Sequence, residues 1–106
     1  MMPNYHDVIR NILEISNSML VATLSSDWDM LVKLETQRNE LLPLIFDDIS
    51  NAQGLMPEIR SMGEAVLEID RRIISICSNE AGDCQRQLSE YHQGRKVVAA
   101  YVANSA

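Results

Sequence analysis

The side chains here that could do chemistry are two histidines, two cysteines and a glutamate–arginine pair inside a helical stretch. His6 and His92 lie at opposite ends of the chain. Neither has a cysteine or carboxylate partner at metal-ligand spacing, so no metal site is expected. A phosphotransfer bundle needs an exposed histidine in mid-helix, whereas His92 stands just before "QGRK", near a helix end. No glycine-rich phosphate loop occurs, and two terminal histidines give no ground for a Ser-His-Asp or Cys-His arrangement. The chain therefore reads as a non-enzyme without catalytic residues or cofactors. Cys77 and Cys84 on one continuous helix would have Cα atoms roughly 10 Å apart. That exceeds disulfide reach, so free thiols are expected.

Glu35 and Arg38 sit in "WDMLVKLETQRNELLPLIF", residues 28–46. Both ends of the stretch are apolar, and the turn from Glu35 to Glu40 is wholly polar. Three residues apart, Glu35 and Arg38 share a helix face and can pair. Two readings stand at this point. The turn is solvated and the apolar stripe passes to Leu34 and Leu41. Alternatively, the pair is drawn inward, where it sets helix register or meets a partner's polar group. Trp28 reads as a core anchor, with a binding hot spot as the sharper alternative.

The elements that position these residues are helical. The chain has 106 residues, enough for one domain over 1–106. With 46% hydrophobic residues, four Gly, three Pro and few aromatics, the composition favours helices over sheets. Net charge is −6 and no basic run exceeds two residues, so no nucleic-acid footprint is present. The apolar runs are too short to insert in a membrane. The opening "MMPNYHD" lacks a signal peptide's basic and apolar blocks, so a cytoplasmic location is expected.

Val8, Ile9, Ile12, Leu13, Ile15, Met19, Leu20 and Leu24 recur at three- and four-residue steps, predicting a helix over 5–24 capped by Asn4 and Asp7. Ser26 and Asp29 form a second capping pair, so an antiparallel second helix follows. Pro43 should kink or end it. "DDISNAQGLMPE" reads as a loop, with Pro57 in the first turn of a third helix. There Ile59, Met62, Val66, Ile69, Ile73 and Ile76 form a coiled-coil seam. A second stripe runs through Leu67, Ile74, Cys77, Ala81, Cys84, Leu88 and Tyr91, with Asp70 in its one polar gap. Continued to His92, this helix would be about 54 Å long, against about 30 Å for the first. Its far half would lack partners. Gly94 is a natural stop. Beyond it, Val97, Val98, Tyr101 and Val102 would give a short helix one apolar face.

"WDMLVKLETQR" resembles the W-[DE]-x-L-x-x-L-E-x-x-R signature of FliT-type flagellar export chaperones. "EIDRRIISI" resembles that family's third helix, and "GRKVVAAY" its C-terminal ending. Pro43 departs from the usual pattern. Trp28, Leu31, Leu34, Glu35 and Arg38 carry the signature. The resemblance implies a cytoplasmic chaperone that binds the C-terminal helical segment of the filament-cap protein FliD. It also implies contacts, in some relatives, with the export ATPase complex and the FlhDC regulator, and a C-terminal inhibitory flap.

The resulting expectation is an all-α, antiparallel helical bundle of three main helices, the third long, plus a short C-terminal fourth helix or flap over 95–106. Client binding is expected along Leu67, Ile74, Cys77, Ala81 and Leu88, with the flap residues Val97, Val98, Tyr101 and Val102 competing for that groove. The alternatives are a structural or adaptor bundle that forms a homodimer through the Ile59–Ile76 seam and, behind it, phosphotransfer at His92.

Overall fold

The computed structural model describes residues 4–79 and 98–103. It is an all-α antiparallel bundle of three main helices with a short C-terminal helix, and no strand occurs among the described residues. Helix α1 spans Tyr5–Leu24. Asn4 caps it, its side-chain oxygen accepting from the backbone N–H groups of His6 (3.0 Å) and Asp7 (3.3 Å). Asp7 suits the positive helix start and pairs with Arg10 at 2.6 Å. The buried face runs Val8, Ile9, Ile12, Ser16, Met19, Ala22 and Thr23, the three-four rhythm of an amphipathic helix.

The turn into α2 differs in detail from the expected capping pair. Ser26 has φ 56°, the left-handed region. Its N–H reaches Thr23 O (3.1 Å), and the Asp27 N–H reaches Ala22 O (2.8 Å). This is a Schellman closure with serine where glycine is usual. Ser26 thus ends α1, and Asp27 starts α2 by accepting from the Met30 N–H at 3.2 Å. Helix α2 covers Trp28–Phe46 and runs through Pro43, which was expected to kink or end it. Pro43 and Asn39 are both exposed, so water can satisfy the Asn39 carbonyl left without a donor. Leu42 and Ile45, buried on the opposite face, hold the last turn in place.

The expected loop is a 3-10 helix, Ile49–Leu55, from which only Ala52 is buried. Helix α3 follows over Met56–Ser78, with Pro57 in its first turn as predicted. It stops well short of His92. Ser78 Oγ and Asn79 Nδ2 both donate to the Ser75 carbonyl, at 2.9 and 3.2 Å. Side chains that bond the local backbone in this way compete with helix continuation. At 23 residues, α3 is about 35 Å long. Gly82 and Gly94, the expected weak point and stop, lie outside the described residues. Residues 98–103 form α4.

Cys77 is disulfide-bonded, a correction to the expected free thiol. A continuous helix through residue 84 would hold the two thiols apart, but α3 ends at Ser78. Cys84 lies outside the described residues.

Helix α1 packs on both α2 and α3, whereas α2 and α3 make little backbone approach to each other.

Candidate functional site

The interior is divided in two. One apolar cluster gathers Val8, Ile9, Ile12, Leu42, Ile45, Ile59, Met62, Val66 and Val98. The other gathers Met19, Ala22, Leu31, Ile73 and Cys77. On each of the three main helices a polar residue separates the two sets: Ser16 on α1, Glu35 and Arg38 on α2, Asp70 on α3. All four are buried, Asp70 completely. Arg38 Nη1 donates to Asp70 Oδ1 at 2.9 Å and to Ser16 Oγ at 3.1 Å, and Nη2 donates to Asp70 Oδ2 at 3.1 Å. This two-pronged guanidinium–carboxylate contact fixes both direction and distance between its partners. Glu35 and Arg38 are therefore turned inward, while Thr36, Gln37, Asn39 and Glu40 of the same turn face water. The partner of Arg38 on α3 is Asp70, the polar gap in the second stripe. A signal for it existed: opposite charges interrupt two otherwise apolar stripes.

The other signature residues serve the second cluster. Leu31 is buried in it, and the half-buried Trp28 and Leu34 pack against it. Trp28 thus sits as the anchor at the start of α2.

The N-terminal half of α3 carries α4. Val98 is buried in the first cluster, and Tyr101 and Val102 pack against that cluster. Gly63 makes the approach possible. A Cβ there would lie 2.9 Å from Val102 Cγ2 and 3.6 Å from Val98 Cγ1. The Tyr101 ring meets Phe46 edge-on, with centroids 5.0 Å apart, and its hydroxyl donates to Met56 Sδ at 3.3 Å. Burial holds the Tyr101 hydroxyl above its ordinary pKa, with Arg60 pulling weakly the other way. Sequence spacing gave no hint of Gly63, Phe46 or Met56 as a seat for the tail.

At the same end, Tyr5 donates its hydroxyl to Asp48, tying the start of α1 to the end of α2. The hydrogen bond from Tyr5, and then one from Asn51 Nδ2 at 2.6 Å, hold the Asp48 carboxyl below its ordinary value. The bond to Asp48 raises the Tyr5 hydroxyl in turn. Among the described residues, no cluster of His, Cys, Asp or Glu could hold a metal ion, and no helix is long and apolar enough to cross a membrane.

A family model described as "Flagellar protein FliT" matches residues 6–104. The chain belongs to the FliT family. No curated protein and no solved structure matches it. FliT membership implies a flagellar export chaperone role. The surfaces of interest in this FliT-family bundle are then those that can take another polypeptide.

The residues expected to bind a client fall unevenly. Leu67 and Ile74 are half-buried on α3, and Leu67 packs against the cluster that also holds Val98. Cys77 is only 1% exposed and belongs to the second cluster, so it supports the α3 face from within. Ala81, Leu88 and the flap residue Val97 lie outside the described residues. The other three flap residues, Val98, Tyr101 and Val102, come together on α3 at Gly63.

Proposed function

We propose that this chain binds the C-terminal helical segment of the filament-cap protein FliD and masks it before flagellar export. The client helix lies on α3 along the face that holds Leu67 and Ile74, with Ala81 and Leu88 continuing the line in sequence. Helix α4 is a flap over part of that face. One observation carries the reading: an amphipathic helix of the chain itself is seated on α3 through Val98, Tyr101 and Val102. A face that accepts one such helix accepts another of like pattern, and the two compete. The role belongs in the cytoplasm and involves no chemistry. Contacts with the export ATPase complex and the FlhDC regulator belong to the same proposal, as later exchanges of the unmasked chaperone.

The rival homodimer through the Ile59–Ile76 seam finds no support. Ile59, Met62, Val66 and Ile73 are buried within the chain.

Calorimetric titration with a FliD C-terminal peptide tests the proposal. Ile74 is half-buried, so Ile74→Asp should abolish binding while the thermal transition persists. Tyr101→Ala should tighten binding by loosening the flap. Wild-type affinity in both variants would remove α3 as the client site.

A further inference from the structure

We propose that the groove between the last turns of α1 and the C-terminal half of α3 is a second docking site, one that takes an acidic amphipathic helix of another protein. Leu20 and Leu24 line it from α1, and Arg71, Arg72, Ser75 and Ile76 from α3, around a void of about 390 Å³.

Its walls are apolar where a buried side chain would sit. Leu24 is 67% exposed, the highest value among the exposed large hydrophobics of the described residues, and Leu20 and Ile76 are half-buried on the two sides. Val21, 62% exposed, lies on the α2 side of α1 with Met30 and Leu34 and is not part of this groove.

Charge selects the occupant. The chain carries a net charge of −6, yet this groove presents two adjacent arginines. Arg71 is held by Glu68 at 2.7 Å, and Arg72, which forms no salt bridge among the described residues, is close enough to the same carboxylate to help hold it low, so the pair of arginines leaves one net positive charge against Glu68. A helix with carboxylates flanking its apolar stripe would meet Arg72 and be repelled from the acidic surface elsewhere, which fixes its register. Nucleic acid and anionic membrane need an extended basic surface, which two arginines on an acidic chain do not supply.

The site is separate from the α4 seat. Arg72 lies nine residues past Gly63, about 180° around the helix at 100° per residue. A helix docked at Leu24 and Arg72 therefore leaves the opposite side of α3 to α4 or a client, and both sites can be filled together.

Amide NMR of the full chain with two synthetic helical peptides of about five turns provides the test. Both peptides carry leucines at helical spacing, one flanked by glutamates and the other by lysines. The glutamate peptide should shift Leu20, Leu24, Arg72 and Ile76. It should bind about tenfold more tightly than the lysine peptide and weaken with added salt. Arg72→Glu should reverse the preference at an unchanged melting temperature, with Arg72→Gln abolishing it if the first variant fails to fold. Leu24→Ser should weaken both peptides. Equal affinities, or shifts confined to Leu67, Ile74 and α4, would overturn the proposal. So would a concentration-dependent dimer that Leu24→Ser dissociates, since that would assign the groove to a second copy of this chain.

Discussion

The Arg38 guanidinium and the Asp70 carboxylate, thirty-two residues apart in sequence, meet through two hydrogen bonds of 2.9 and 3.1 Å in the interior between α2 and α3. The backbones of these two helices make little approach. The ion pair therefore links two helices whose backbones stand apart, and it lies between the two apolar clusters in which side chains of α2 and α3 meet. A buried pair of this kind contributes alignment more surely than stability.

Removing one partner leaves the other charged and buried. Asp70→Ala or Arg38→Ala should each cost about 3–5 kcal/mol in urea denaturation. The double variant Arg38→Met, Asp70→Leu should recover most of that loss, because neither charge remains. Single variants that lose less than about 1 kcal/mol would place the pair in the class of solvated surface bridges.

Gly63→Ala separates the stability of α3 from the seating of α4. The new methyl would lie 2.9 Å from Val102 Cγ2, and valine has few rotamers through which to retreat. Helix α4 should lift, while α3 gains about 0.5–1 kcal/mol of intrinsic helix preference. Greater client affinity with faster amide exchange over residues 98–103 is the expected result. Unchanged exchange would show that Val102 rotates aside and α4 stays seated.

Ser26 occupies the left-handed position that closes α1, at φ 56°. A residue with a Cβ pays roughly 1–2 kcal/mol there, and glycine's greater freedom in the unfolded chain returns about 0.4–1 kcal/mol. Ser26→Gly should therefore stabilise the bundle by about 0.5–1 kcal/mol, read as a rise in melting temperature. A fall would mean that the turn conformation differs in solution.

The Tyr5–Asp48 contact makes stability depend on pH in a stated direction. The folded-state carboxyl of Asp48 is held low by the Tyr5 hydroxyl and then by Asn51. Its contribution is thus present at neutral pH and disappears as pH falls through about 4 and below. The Tyr5 hydroxyl is held high, chiefly by the same bond, so its contribution is present below about pH 10 and is lost as pH rises beyond that. The melting-temperature gap between the wild type and Tyr5→Phe should close at both extremes. A gap constant from acid to alkaline pH would dismiss the contact.

What the sequence determined by itself is local. Asn4 and the three-four spacing from Val8 to Leu24 define α1 as Tyr5–Leu24, and Pro57 marks the first turn of α3, because caps, backbone bonds and helical faces depend on residues within a few positions of one another. The same periodicity made it legible that Glu35 and Arg38 break an apolar stripe. Three further features were decided by tertiary structure. Asp70 answers Arg38, α4 seats at Gly63 beside Phe46, and Pro43 stays inside α2 because its ring faces water. Helix α3 ends at Ser78, where the Ser78 and Asn79 side chains both bond the Ser75 carbonyl, and an apolar stripe that continues beyond a helix conceals that end in the sequence. Periodicity says that a face is buried. It does not say against what, since that depends on the axial stagger and rotation of helices distant in sequence, which only their mutual packing sets.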